Sequence, residues 1–60
     1  MMEVVVIKFI YKYCRVEEIA GVAINMDVAK KYAEELQNKY PCYDKRYGDF
    51  FFEEHIVIED

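Results

Sequence analysis

The segment VVVIKFIYKY, residues 4–13, constrains this chain more than any other. Along an extended strand, side chains alternate between the two faces of a sheet. Val5, Ile7, Phe9, Tyr11 and Tyr13 would share one face, wholly apolar or aromatic. Val4, Val6, Lys8, Ile10 and Lys12 would share the other, which is still half apolar. A strand apolar on both faces belongs in the middle of its sheet. The rest of the chain must therefore supply flanking strands and a cover.

The next segment, CRVEE, has neither Gly nor Pro, so a reversal near residues 14–17 rests on its charges and on the strand-like segment after it. Residues 18–24, ending in IAGVAI, read as a second strand, where Gly21 signals a bulge or a close backbone approach. NMDVAKKYAEELQNKY then predicts a helix. Asn25 is a good N-cap, because its side-chain oxygen can accept from the free amides of the first turn. Asp27 sits near the positive end of the helix dipole. Ala29, Tyr32, Ala33, Leu36 and Tyr40 recur at helical spacing, with Val28 beside them. Pro41 ends the helix and biases Tyr40 toward an extended conformation. A final strand is expected over 50–59, with Phe50, Phe52, Ile56 and Ile58 meeting the helix and Phe51, Val57, Glu53, His55 and Glu59 facing away.

The order strand, strand, helix, strand has a simple solution. If the helix crosses back over the sheet, strands two and three run parallel and strand one fits between them, antiparallel to both. This predicts an α+β fold: a three-stranded antiparallel ββαβ sheet of order 2-1-3, one helix on one face and a right-handed crossover. It fills one domain, residues 1–60. Val4, Val6, Ile10, Phe51 and Val57 are left on the second face, with no further segment to cover them.

Composition sharpens that point. A domain of this size buries only about 60% of its unfolded surface and usually needs a staple or a partner. The chain is 55% hydrophobic, above the common range of about 45–50%. This points to association, and a homodimer through the five uncovered residues is expected, by face packing or by pairing of outer strands. The net charge of −4 argues against a general nucleic-acid binder on electrostatic grounds. The strongly apolar run 4–7 is far too short to span a membrane, and Glu3 with no small-residue cleavage site does not read as a signal peptide. A cytoplasmic location is expected, with Cys14 and Cys42 as reduced thiols.

No catalytic residue, metal ligand or cofactor site is expected. Cys42 with His55 would supply a nucleophile and a base, but no third orienting group accompanies them. Cys14, Cys42 and His55 lack the spacing and the fourth ligand of structural zinc. Glu53, Glu54, Glu59 and Asp60 read as solvated or edge-protecting charges. The tyrosine-rich stretch KYPCYDKRYGD is different. With Lys12 and Arg15 it forms a basic end, including Lys39, Lys45 and Arg46, in an acidic chain. Tyr and Arg often anchor protein interfaces. Arg15, Tyr43, Lys45, Arg46 and Tyr47 are the candidate partner-binding residues and Tyr40 a core residue; a tyrosine plug for that end of the core is the competing reading.

The pattern IAGVAINMDVAKKYAEELQNKY with the ending FFFEEHIVIED resembles small ββαβ proteins of Gram-positive bacteria and their phages. Gly21, Val22, Asn25, Ala29 and Ala33 occupy the positions that carry the likeness. The resemblance implies the same fold, a bacterial or phage setting and, as a candidate role, inhibition of bacterial defence systems; it brings no functional residue. The expected function is a non-catalytic protein-binding module, a homodimeric inhibitor of another protein. A nucleic-acid module using the basic end and a structural or assembly protein are the alternatives.

Overall fold

The computed structural model describes residues 2–58. Strand β1 (Met2–Tyr11), strand β2 (Glu17–Ala23), helix α1 (Met26–Lys39), a 3-10 turn (Pro41–Tyr43) and strand β3 (Gly48–Val57) follow in order. The sheet order is β2-β1-β3, with both outer strands antiparallel to β1. The expected ββαβ, α+β architecture is therefore present, with the most apolar strand at its centre.

The helix starts where the sequence places it. Asn25 is extended, and its Oδ1 accepts from the Val28 N–H at 2.9 Å. Ala29, Ala33 and Leu36 form the buried stripe. Two alanines one turn apart let the helix lie close on the sheet, where Val5, Ile7 and Phe9 are 0–1% exposed. Ala23 completes the buried core, and Ala20, Met26, Phe50 and Phe52 pack at its edge. Tyr40 caps the helix in an extended conformation (φ −115°, ψ 118°), as the following proline requires.

That geometry corrects one expectation. Tyr40 leaves the helical stripe and is 43% exposed, so it is not a core residue. Instead the 3-10 turn swings Tyr43 inward, where its ring meets Phe9 at 5.1 Å and Phe50 at 5.4 Å.

The third strand brings a second correction. Phe50 and Phe52 meet the core as expected, but Ile56 and Ile58 are exposed. The register explains this. Val5 pairs with Ala23 of β2 and with Glu54 of β3, and the helix begins just after Ala23. Met2, Glu3 and Val4 pair with Val57, Ile56 and His55 beyond that point. They form a two-stranded ribbon with neither β2 nor the helix beside it. Glu59 and Asp60 lie outside the described residues.

Of the two readings of Gly21, the bulge is present, at the residue before it, and the close approach is made by a side chain. The β1–β2 register shifts between Ile7 and Lys8, leaving Ala20 as the extra residue beside it. A Cβ on Gly21 would also lie 2.6 Å from the Tyr32 ring.

Candidate functional site

Two regions stand apart from the core: the open face of the sheet and the end where Tyr11 meets Gly48. On the open face, Val4, Val6 and Ile10 are half-buried, and Phe51 and Val57 are exposed. Directly paired residues share a face, so the pairings Val6 with Val22 and Lys8 with Ile19 add two exposed apolar residues from β2. Ile19 escapes a reading by alternation. Strict parity would put it with Gly21 and Ala23, under the helix. The bulge at Ala20 reverses that parity and moves Ile19 to the open face. Gly21 was the only signal of it in the sequence.

Lys8 lies at the centre of this face. Its direct partners are Ile19 and Phe51; the diagonal positions hold Glu17, opposite Ile10, and Glu53, opposite Val6. Lys8 Nζ reaches Glu53 Oε2 at 2.8 Å and Glu17 Oε1 at 3.2 Å. Bonds to Glu53 first and Glu17 second raise the Lys8 pKa above its ordinary value. The same ammonium lowers that of Glu53. His55 Nε2 is 2.7 Å from Glu53 Oε1. The cation is therefore tied down between two carboxylates within an otherwise apolar surface.

At the other region, residues 12–15 close the β1–β2 hairpin. The Tyr11 N–H donates to the Val16 carbonyl at 3.0 Å, and the Arg15 N–H to the Tyr11 carbonyl at 2.9 Å. Arg15 ends this four-residue loop in the left-handed region, φ 54°, as such loops demand. The Lys12 N–H donates to the Tyr47 carbonyl at 2.8 Å, joining the hairpin to the loop before β3.

The five candidate contact residues have separate situations here. Tyr43 belongs to the aromatic cluster around Phe9, which also includes Tyr11 and Phe50. Burial first, and the Glu18 carboxylate second, push the Tyr43 pKa up to about 12. Burial raises Tyr11 as well, and its hydroxyl donates to Glu18 Oε2 at 3.2 Å. Arg46 folds back on its own loop. Its N–H and Nε both donate to Asp44 Oδ1, at 2.9 and 3.2 Å, and its guanidinium lies 5.5 Å from the Tyr47 ring centre. The backbone bond from Arg46 is the main reason the Asp44 pKa is lowered. Lys45 lies along the groove between α1 and β3 with Gln37 and Phe50. Tyr47 and Arg15 are exposed. Tyr43 is thus a plug for the core, while Tyr47 and Arg15 present themselves to solvent.

Tyr47 also lines an open groove of about 490 Å³ with Tyr11, Tyr13, Cys14, Pro41 and Cys42. The two cysteines are exposed free thiols at the same end of the sheet. His55 is remote from them. It lies seven residues along β3 from Gly48, about 23 Å at the usual rise of 3.3 Å per residue. Neither the Cys42–His55 pair nor the Cys14, Cys42, His55 ligand set is assembled, and no group of three potential metal ligands occurs among the described residues. No described helix is long and apolar enough to cross a membrane.

No family model, curated protein or solved structure matches this chain.

Proposed function

We propose that this chain is a small, non-catalytic protein-binding module that acts as a homodimer and inhibits another protein. The observation that carries the reading is the uncovered sheet face. Val4, Val6, Ile10, Ile19, Val22, Phe51 and Val57 share it around a single neutralised cation. Monomers rarely expose contiguous apolar patches larger than a few hundred Å², and such patches mark interaction surfaces. A two-fold pairing is the commonest closed assembly and lets one patch cover its own copy. Lys8 enters the interface already bonded to Glu17 and Glu53, and the one net negative charge of this triad has to stay in contact with water. An unpaired buried charge would be far more costly.

The inhibitory role rests on the tyrosine-bearing end, whose groove of Tyr11, Tyr13, Cys14, Pro41, Cys42 and Tyr47 includes no residue of the paired face. The likeness to phage and bacterial ββαβ proteins makes a host defence protein in the bacterial cytoplasm the target class. Light scattering at micromolar concentration tests the assembly. Twice the chain mass of 7.2 kDa is expected. Val6→Glu should give the monomer, whereas a proline at Val57 should do so only if outer strands pair instead. A wild-type chain at monomer mass overturns the reading.

A further inference from the structure

The tyrosine end carries two concavities that share Tyr11. The first is the groove of about 490 Å³, whose six lining residues include three tyrosines and a proline but no Asp, Glu, Lys or Arg. The second, about 300 Å³, is lined by Ile10, Tyr11, Lys12, Arg15, Asp49 and Phe51, two cations against one anion. Neither Lys12 nor Arg15 takes part in an ion pair among the described residues. Lys12, Arg15, Lys39, Lys45 and Arg46 share this end with Glu17, Glu18, Asp44 and Asp49, and Arg46 already pairs with Asp44, so the local positive character rests on Lys12 and Arg15.

We infer that this end docks an acidic peptide segment of a partner protein. One large apolar side chain enters the groove between Tyr11, Tyr13 and Tyr47, and a neighbouring carboxylate settles between Lys12 and Arg15. The inference rests on the protein-binding reading above and specifies the partner's chemistry. Charge complementarity selects an anionic occupant. The open groove carries no charged side chain to meet phosphates, and the acidic remainder of the surface repels a long phosphate backbone.

The test uses the full chain and a short fluorescein-labelled peptide with a single phenylalanine among aspartates and glutamates, read by fluorescence anisotropy. Saturable binding is expected, weakened about tenfold or more, roughly 1.4 kcal/mol, by Tyr13→Ser or Lys12→Glu and by replacing the phenylalanine with alanine. Both substituted side chains are exposed, so the variants should fold. Bound peptide should also slow alkylation of Cys14 and Cys42 by N-ethylmaleimide, which requires no variant. Absence of binding by a chain that light scattering shows to be dimeric overturns this docking and leaves the dimer standing. Affinity unchanged in both variants overturns it as well. So does preferential binding of an oligothymidine that is lost in Tyr13→Ser.

Discussion

The two faces of β1 differ in what completes them. Val5, Ile7 and Phe9 are 0–1% exposed because the helix alanines lie on the first two and the rings of Tyr11, Tyr43 and Phe50 surround the third. Val4, Val6 and Ile10, their immediate neighbours in the chain, remain half-buried on a face with no second layer. The polar groups differ too. The closed face keeps its phenols neutral: burial raises the pKa of Tyr43 and Tyr11. The open face keeps ions charged, by pairing Lys8 with Glu17 and Glu53. One strand thus supports an ordinary protein core on one side and an unfinished surface on the other. Burial comes from the layer above a residue, and alternation determines only which layer it addresses.

The largest expected effect comes from emptying the closed face. Phe9 contacts Tyr11, Tyr43 and Phe50, with ring centres at 4.9–5.1 Å. Phe9→Ala should cost about 3–5 kcal/mol, in a domain whose total stability is about 3–9 kcal/mol. Urea unfolding followed by circular dichroism should find the variant largely unfolded in buffer. A comparable loss for Ile10→Ala, on the other face, measured in the monomeric Val6→Glu background, would break the contrast.

Overfilling the closed face comes next. A Cβ on Gly48 would lie 2.3 Å from the Ile10 carbonyl oxygen and 2.6 Å from the Phe9 ring. Gly48→Ala should therefore cost about 3 kcal/mol, the upper end of common overpacking effects, because a backbone atom is in the way. Gly21→Ala should cost less. Its nearest obstacle is the half-exposed Tyr32 ring, which can swing aside. Equal midpoints in urea for the two variants would contradict this.

The faces should also respond to opposite ends of the pH scale. Tyr43 has its folded pKa raised from 10 to about 12, so its contribution is complete below pH 10 and is lost as pH rises through about 12. Tyr43→Phe should remove the last-titrating component from the tyrosinate absorbance and flatten the alkaline limb of the stability curve. Persistence of that component in the variant would mean another tyrosine carries it.

The smallest effect belongs to the open face. Glu53 is held below its ordinary value of 4.5, so the Lys8–Glu53 pair contributes above pH 4.5 and is lost as pH falls through the lower, folded value. In the monomer, Lys8→Met should reduce the acid sensitivity of thermal unfolding below pH 4.5 while hardly changing stability at neutral pH; in the dimer it leaves Glu17 and Glu53 unpaired in the interface and should shift light scattering toward the monomer. A large neutral-pH loss would mean that the exposed pair matters more than such pairs do.

Local rules were enough for the sequence to determine the elements and their order. Alternation marked β1 as central, Asn25 and Pro41 bounded the helix, and Ala29, Ala33 and Leu36 formed its buried stripe. Short connections then left 2-1-3 as the simple arrangement. The candidate surface was legible to the same extent: Val4, Val6, Ile10, Phe51 and Val57 do share the open face. Only the tertiary structure decided where parity breaks and where cover ends. Ile19 faces outward because of the bulge at Ala20, a register shift between two strands that neither strand encodes alone. Tyr43 replaces Tyr40 in the core because the 3-10 turn after Pro41 redirects the chain toward Phe9. Ile56 is bare because the helix starts level with Val5, so no described element lies above the strand pairs beyond it. Each depends on where another segment of the chain stops or turns, and periodicity within one segment carries no information about that.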